Sequence, residues 1–171
     1  MFANIKKDLQ TYKGDGSKQG FWVMVVFRFG QWRYKVRPSI IRKILSFFYK
    51  VWFKWIQIIT GIELPCEVKL GNNFRIDHFG GIIISGFASF GDNCTIRHGV
   101  TVGLKNVEDP GAPQIGDNVD IGAGAKLLGK IKIGNNVSIG ANAVVLQDIP
   151  NNSVAVGIPA KILPRKTDAI S

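Results

Sequence analysis

Hydrophobic residues recur every six positions through the last two-thirds of this chain. The aliphatic or aromatic members of the series are Leu70, Ile76, Ile82, Phe90, Ile96, Val102, Ile115, Ile121, Leu127, Ile133, Ile139 and Val145. A helix repeats about every 3.6 residues and a simple strand every two, so neither explains a period of six. Such hexapeptide repeats are typical of a parallel β-helix, in which each repeat forms one face of a triangular coil. Stacked coils of about 18 residues would bury a continuous aliphatic core.

The repeats divide into coils over roughly residues 70–87, 90–107, 115–132 and 133–150, with two irregularities. The step from Ile82 to Phe90 is eight residues, which places two inserted residues near 85–87. The step from Val102 to Ile115 is thirteen, so residues 104–113 form a loop that leaves the coil. Loops on rigid scaffolds often carry function, which makes this loop a candidate lid or substrate contact. The alternative is a solvated insertion.

Charge and aromatic content divide the chain near Gly61. Residues 1–60 contain 12 Lys/Arg and 2 Asp/Glu, whereas residues 61–171 contain 10 of each. All four Trp and all three Tyr also lie in the first part. We therefore expect a basic, aromatic α-helical region over 1–60, a β-helix domain over 61–163 and a C-terminal tail over 164–171.

Two further features bear on the location of the protein and its redox chemistry. No secretory signal is visible, so we expect the protein in the cytoplasm. The two cysteines, Cys66 and Cys94, do not suggest a disulfide framework. Cys94 occupies an inward position of its hexad, which predicts a packed thiol.

Helices are expected around residues 5–12, 21–32 and 39–59, the last with Ser39 as its N-cap after a break at Pro38. Residues 39–59 gather their basic side chains on one side and are too interrupted by charge to span a bilayer. A basic helix rich in Trp and Phe predicts peripheral contact with the inner face of the cytoplasmic membrane. The alternative is packing on the β-helix or between subunits. No nucleic-acid module is recognised, so nucleic acid is not an expected partner.

The chain has two histidines, His78 and His98, each third in its hexad. They are twenty residues apart, which equals one coil plus the two inserted residues. Both are therefore predicted to project from the same edge of the β-helix, one coil above the other. A catalytic zinc site generally needs three protein ligands, so no metal is predicted.

Five segments of the chain carry a family resemblance. They are Ile76-Asp77-His78-Phe79-Gly80-Gly81, Val100-Thr101-Val102-Gly103, Ile121-Gly122-Ala123-Gly124-Ala125-Lys126, Ile139-Gly140-Ala141-Asn142-Ala143-Val144-Val145 and Val156-Gly157-Ile158-Pro159-Ala160-Lys161. In this order they resemble the hexapeptide-repeat acyltransferases, and most closely the serine acetyltransferase-like branch. The resemblance implies a left-handed parallel β-helix, a homotrimer, acetyl-CoA as donor and active sites between subunits.

The resemblance also implies site residues. His78 matches the catalytic histidine of the family, and Glu63 matches its partner carboxylate, where the family usually has Asp. An alcohol near neutral pH is a poor nucleophile, so a neutral imidazole must take its proton during attack on the thioester. A carboxylate on the other ring nitrogen would fix the tautomer and stabilise the imidazolium. The alternative for Glu63 is a solvated acid at the start of the first coil.

Acetyl-CoA would bind along the later coils. Small residues that leave room for the pantetheine arm are Gly122, Ala123, Ala125, Ala141 and Ala143. Three cations are candidates for the nucleotide phosphates, unless they are ordinary surface charges: Lys126, Lys161 and Arg165.

One departure from the serine acetyltransferase pattern concerns the acceptor. That family carries Arg-His-Pro in the extruded loop, and the aligned text here is Gly111-Ala112-Pro113. Without this grip, free serine should bind poorly. The text around Arg97 and His98, with the basic N-terminal region, resembles instead O-acetyltransferases of bacterial capsule, colanic-acid or other exopolysaccharide synthesis. Their acceptors are sugars, often lipid-linked at the cytoplasmic membrane face.

The leading hypothesis is therefore an acetyl-CoA-dependent O-acetyltransferase that acts on a sugar hydroxyl of a surface-polysaccharide precursor. His78 is the expected general base and Glu63 its orienter. His98 is expected as a second catalytic element, with Asp77 and Arg97 on the substrate side. The alternatives are a serine O-acetyltransferase and a non-catalytic trimeric β-helix scaffold.

Overall fold

Three helices precede a parallel β-helix, which confirms the fold expected from the six-residue period. The computed structural model describes residues 2–15, 18–106, 108 and 110–165. The helices are α1 (Phe2–Thr11), α2 (Gln19–Arg33) and α3 (Ser39–Thr60). Gly61 ends α3 in the left-handed conformation that glycine adopts readily, and its amide donates to the carbonyl of Gln57. The expected C-terminal tail lies, from residue 166 onward, outside the described residues.

The start of α3 differs by one residue from the expected cap. Pro38 is the N-cap in an extended conformation, and Ser39 is the first helical residue, without a side-chain capping hydrogen bond. The N–H groups at the start of a helix have no acceptor within the helix. Proline has no N–H, so it can stand at this position without loss of a helical hydrogen bond. Over the described residues, none of the three helices combines the length and apolar character that a bilayer crossing needs.

The β-helix consists of short strands at the three faces of each coil. The strands are β1 (Ile62–Glu63), β2 (Lys69–Leu70), β3 (Arg75–Asp77), β4 (Ile82–Ile84), β5 (Ser89–Phe90), β6 (Thr95–Arg97), β7 (Thr101–Gly103), β8 (Gln114–Ile115), β9 (Asp120–Ile121), β10 (Lys126–Leu128), β11 (Lys132–Ile133), β12 (Ser138–Ile139), β13 (Val144–Val145), β14 (Ser153–Val156) and β15 (Lys161–Pro164).

These strands form three sheets. Sheet A has the order β1-β4-β7-β10-β13, sheet B the order β11-β8-β5-β2, and sheet C the order β15-β14-β12-β9-β6-β3. The pairings are parallel except the last in sheet C, where β15 turns back antiparallel on β14. Parallel pairing between equivalent hexads is what a stack of coils produces.

The aliphatic residues of the six-residue series point inward and stack in register. On sheet A, Ile84 pairs with Val102, Val102 with Leu127, and Leu127 with Val145, and all four are buried. Cys94 is also buried and unpaired, as its inward position predicts. Each coil thus contributes only a few apolar side chains, and the continuous stack supplies the core.

The two-residue insertion in the first coil lies at a different corner from the one expected. In sheet C, Ile76 pairs with Ile96, twenty residues later. In sheet A, Ile83 pairs with Thr101, eighteen residues later. The extra residues are therefore in the turn over 78–81, between β3 and β4, and not near 85–87. The position of the insertion was predicted wrongly because Ile82 and Ile84 are both buried aliphatic residues. Ile84, and not Ile82, is equivalent to Val102 in the next coil.

A column of asparagines closes the corner between sheets B and C. Its members, which all have positive φ, are Asn73, Asn93, Asn118, Asn136 and Asn152. The side-chain amide of each of the first four donates to the side-chain carbonyl of the asparagine in the next coil, at 2.8–3.1 Å. Asparagine tolerates the left-handed conformation better than most residues, so it suits both the turn and the column.

A cluster around the buried side chains of Arg33 and Tyr49 fixes α2 and α3 to the start of the β-helix. The guanidinium of Arg33 lies 4.2 Å from the ring centroids of both Tyr34 and Tyr49. The Tyr49 hydroxyl accepts the backbone amide of Cys66 at 3.2 Å. Tyr49 is on one side of α3, so this contact leaves the opposite side of that helix directed away from the β-helix.

Candidate active site

His78 and His98 project from the same edge of the β-helix, one coil apart, as predicted. Their ring centroids are 5.8 Å apart and the rings are nearly perpendicular. Both side chains are exposed. His78 has a φ of 67°, a left-handed conformation that is uncommon outside glycine and that Asn, Asp and His adopt more often than other residues. The two inserted residues make this turn longer than its counterpart above, and the histidine stands at its start.

The small residues of the later coils lie on the same edge. Residues 122–125 and 140–143 connect sheet C to sheet A, as the two histidine turns do. Ala125 and Ala143 are fully buried in the core, so their side chains do not face the edge. A Cβ on Gly122 would lie 2.5 Å from the amide nitrogen of Ala141, which shows how closely the coils stack there. Ala123 and Ala141 remain the outward-facing members of this set.

The three candidate phosphate-binding cations occupy different positions. Lys126 donates its ammonium to the Gly99 carbonyl at 2.5 Å and to the Thr101 hydroxyl at 3.1 Å, and so links successive coils. Lys161 is exposed at the start of β15, next to the last turn of the histidine-bearing edge. Arg165 contacts the Asn136 carbonyl at 3.4 Å and therefore lies near the asparagine column. Of the three, Lys161 is the exposed cation on the edge that carries the histidines.

Glu63 lies on sheet A directly below the turn that carries His78. It pairs in register with Ile83, its side chain is exposed, and it lines a shallow depression with Gly61 and Gly81. Among the described residues, no hydrogen bond joins Glu63 to His78. Its role as the orienter of the imidazole stays a prediction.

The two expected substrate-side residues form ion pairs on the outer face of sheet C. Asp77 accepts a hydrogen bond from Nε of Arg75 at 2.6 Å. Arg97, which pairs with Asp77 in the sheet, donates to Asp120 at 2.5 Å. Both residues therefore lie beside the histidines, and each already has a partner of opposite charge.

The loop over 104–113 begins at a different edge from the histidines. It connects sheet A to sheet B, whereas His78 and His98 lie between sheets C and A. Ala112 and Pro113 are buried against the coil, and residues 107 and 109 lie outside the described residues. Within one protomer the loop is therefore not a lid over His78. Its role as a substrate contact stays a prediction.

A cavity of about 540 Å³ lies beside His78, and sequence reasoning missed one of its walls. We call it the acceptor cavity; its lining includes Tyr12, Lys13, Asp15, Lys18, Gly20, Arg75, Asp77, His78 and Phe79. Residues 11–13, 15 and 18–20, from the end of α1 to the start of α2, form the missed wall. These residues pack against β-helix residues more than fifty positions later in the chain, and a contact at that separation leaves no periodic signal in the sequence.

Tyr12 fixes this wall to the β-helix. Its hydroxyl accepts the backbone amide of Ile76 at 3.0 Å. Burial raises the pKa of Tyr12 to about 12, so the phenol is neutral at physiological pH. A Cβ on Gly20 would lie 2.5 Å from both the Ile76 carbonyl oxygen and the Tyr12 hydroxyl, so only glycine allows this close approach.

The described residues show no cluster of three or more His, Cys, Asp or Glu side chains that is arranged to hold a metal ion. The described groups at this edge are two imidazoles, nearby carboxylates and cations, and the backbone of the stacked turns.

Comparison with known proteins places these features in context. A profile described as "Bacterial transferase hexapeptide (six repeats)" matches residues 112–147. Serine acetyltransferase of Synechococcus elongatus is 39% identical over 147 residues, which is 85% of this chain and 57% of that protein. Serine acetyltransferase of Staphylococcus aureus is 50% identical over 108 residues, 63% of this chain and 51% of that protein. The chain thus spans little more than half the length of these curated relatives.

Solved structures of serine acetyltransferases are also similar to this chain. Serine acetyltransferase of Brucella abortus has a TM-score of 0.80 at 29% identity, over 95% of this chain and 68% of that one. Serine acetyltransferase of Neisseria gonorrhoeae in complex with serine has a TM-score of 0.76 at 32% identity, over 94% of this chain and 68% of that one.

These comparisons correct the expected acceptor. The relatives at 39–50% identity are serine acetyltransferases and not polysaccharide O-acetyltransferases, so the leading hypothesis of a sugar acceptor is wrong. The similarity favours the alternative of a serine O-acetyltransferase. The absence of one loop motif and the basic character of the N-terminal region are therefore weak indicators of the acceptor.

Proposed function

The chain belongs to the hexapeptide-repeat transferase family, and from this premise we propose that it is an acetyl-CoA-dependent serine O-acetyltransferase. The observation that carries the proposal is the pair of histidines on one edge, with His78 opening into the acceptor cavity. The similarity to serine acetyltransferases supports the acceptor, and a related structure from Brucella abortus in complex with coenzyme A supports the donor.

The proposed reaction is a direct transfer with His78 as general base. Its imidazole takes the proton of the serine hydroxyl as the oxygen attacks the thioester carbonyl. The tetrahedral intermediate then expels the thiolate of coenzyme A, which takes the proton back from the imidazolium. Positioning both substrates in one ternary complex provides much of the rate, and no acyl-enzyme is needed. His98, edge-on to His78, would contact the same reacting groups from the coil above.

The donor is expected to lie along the histidine-bearing edge. Ala123 and Ala141 leave room there for the pantetheine arm, and Lys161 is an exposed cation at its far end. The thioester would then meet the acceptor next to His78.

We expect the active assembly to be a homotrimer that packs through sheet A. On that side the apolar residues Ile83 of β4 and Leu146, directly after β13, are exposed beside Glu63 of β1, whereas sheet B presents Lys69, Gln114 and Lys132. Sheet A borders the histidine-bearing edge, so a neighbour packed there would complete the cleft. Its apolar surface is what an interface between subunits needs.

The proposal predicts turnover that requires both acetyl-CoA and free serine. Release of coenzyme A can be followed with a thiol reagent, and O-acetylserine can be identified by mass spectrometry. Threonine and a reducing sugar serve as control acceptors. Coenzyme A release that does not depend on serine, or the absence of O-acetylserine, would overturn the assignment.

A further inference from the structure

An amino-acid acceptor carries a carboxylate that the site must bind. The extruded loop supplies no guanidinium, because Gly111-Ala112-Pro113 has no side-chain donor and the basic residue over 104–113 is a lysine, Lys105. The acceptor cavity does contain cations on this chain's own elements: Lys13, Lys18 and Arg75. The following inference rests on the proposed function and assigns one of them.

Arg75 is the cation held in a defined orientation. Its Nε donates to Asp77 at 2.6 Å, which fixes the plane of the guanidinium. A guanidinium has five N–H donors, and among the described residues the two Nη atoms of Arg75 make no hydrogen bond. Lys18, by contrast, lies 3.6 Å from the carboxylate of Asp15. A planar pair of donors matches a carboxylate in bidentate geometry, which an ammonium does not.

Arg75 and His78 line the same cavity, three residues apart on β3 and the turn that follows it. A serine whose hydroxyl reaches His78 would therefore extend its carboxylate toward the free side of the Arg75 guanidinium. We infer that Arg75 binds the acceptor carboxylate and so provides the grip that the loop lacks. It is a specificity-determining residue, and Asp77 is its positioning partner.

The test compares serine with serinamide, which keeps the hydroxyl and amine but lacks the carboxylate. The wild-type enzyme is expected to have a higher kcat/KM for serine, because a charge-assisted pair is lost with the amide. In Arg75→Gln, the ratio of kcat/KM for serine to that for serinamide should fall roughly 10- to 100-fold. Arg75→Lys should retain part of the preference. The KM for acetyl-CoA should stay unchanged in both.

Lys18→Gln is the matched control, since it removes another cation of the same cavity and should leave the ratio unchanged. A preference for serine that survives in Arg75→Gln would overturn the inference, and so would a wild-type enzyme that does not discriminate between the two acceptors. If the wild-type enzyme acetylates neither, it is the proposed function that fails. The ratio is internal to each variant and does not depend on the fraction of protein folded.

A second inference comes from an independent feature, the outward side of α3. Ten large apolar side chains there expose between 37% and 73% of their surface: Ile40, Ile41, Ile44, Phe47, Phe48, Val51, Trp52, Trp55, Ile58 and Ile59. We call this set the α3 apolar face. At 100° per residue it covers a sector of about 140° along the whole helix. An exposed apolar surface of this extent marks an interaction site.

Lysines border the α3 apolar face on one side. Lys43, Lys50 and Lys54 fall within an adjoining sector of about 40°, as the sequence predicts, whereas Arg42 lies apart from them. Between Asp15 and Glu63 the chain has nine Lys or Arg and no Asp or Glu. A second copy of this region would therefore bring like charges together, and an acidic surface would be complementary.

We propose that the α3 apolar face binds the surface of an anionic lipid bilayer. The helix would lie in the interface, with Trp52, Trp55 and Phe47 at the acyl boundary and the three lysines directed to the headgroups. Lipid phosphates supply the negative charge that this region of the chain lacks.

The test is cosedimentation of the full chain with phosphatidylcholine vesicles, with and without phosphatidylglycerol. Binding is expected to require the anionic lipid and to weaken as salt rises. The triple variant Lys43→Glu, Lys50→Glu, Lys54→Glu should bind at least roughly 100-fold more weakly, since each lysine near such a surface contributes about fivefold. Its acetyltransferase activity should be unchanged.

The matched control reverses three exposed lysines of the β-helix, Lys69→Glu, Lys130→Glu and Lys132→Glu, and should bind like the wild type. Equal binding to neutral vesicles, or undiminished binding by the α3 triple variant, would overturn the proposal. An absence of vesicle binding would also overturn it. If sedimentation then showed that Trp55→Ser dissociates an oligomer, the face would join copies of this chain.

Discussion

Replacement of His78 with asparagine is expected to lower kcat by roughly 10²- to 10⁴-fold, the usual contribution of a general base. The side chain is exposed, and its ring lies 5.8 Å from the ring of His98. Without an imidazole at this position, the serine hydroxyl must attack as a neutral alcohol or lose its proton to water. The steady-state rate of O-acetylserine formation at saturating substrates measures the effect.

Asparagine is the informative replacement because His78 has a φ of 67°. The chain already uses asparagine in this conformation along the column between sheets B and C, so the variant should keep the turn. His78→Ala serves as the second variant and combines loss of the base with backbone strain in the left-handed region. Thermal unfolding by circular dichroism should show a native fold for His78→Asn. An unchanged rate in a folded variant would remove His78 from the mechanism.

Replacement of Phe74 with alanine is expected to lower the free energy of unfolding by about 3–5 kcal/mol. Phe74 is fully buried, and its ring packs edge-on against Phe90 with centroids 5.0 Å apart. The structure around a deleted core side chain relaxes only partly, so part of the space left by the phenyl ring would persist as a cavity. Urea unfolding at a fixed protein concentration, followed by circular dichroism, measures the change in midpoint.

Phe87→Ala is the matched control for this experiment. It makes the same chemical change within the same coil, but Phe87 is 71% exposed. Its free energy of unfolding should stay within about 0.5 kcal/mol of the wild type, as for surface substitutions away from special features. Similar losses in both variants would mean that the coil interior is not what stabilises this part of the chain.

The β-helix could be predicted because its interior admits one kind of residue at one position of every hexad. Ile96, Ile121 and Leu127 follow this rule and are all fully buried. The rule fails where two candidates alternate on the same strand. Ile82 and Ile84 are both aliphatic and both point inward. Counting residues therefore could not decide which of them is equivalent to Val102 in the next coil. The error moved the insertion from the turn of His78 to the next corner.

The histidine pair could be predicted because both residues hold the same place in successive coils. The surroundings of the pair could not. The ion pair of Arg75 with Asp77 depends on side-chain orientation on the outer face of sheet C. The contact of Tyr12 with Ile76 depends on how the helices dock, and docking leaves no repeat in the sequence. The acceptor was predicted wrongly for a related reason. When the extruded loop lacks the cation that binds a carboxylate, another element of the chain can supply one.

The reversal of β15 also governs how the molecule behaves at high concentration. A stack of parallel strands can in principle continue from one molecule into the next, as in a growing fibre. In sheet C the terminal strand runs antiparallel to β14 and ends at Pro164, which offers no amide for further pairing. That end of sheet C therefore presents a poor template for another chain, and end-to-end growth through this sheet is not expected.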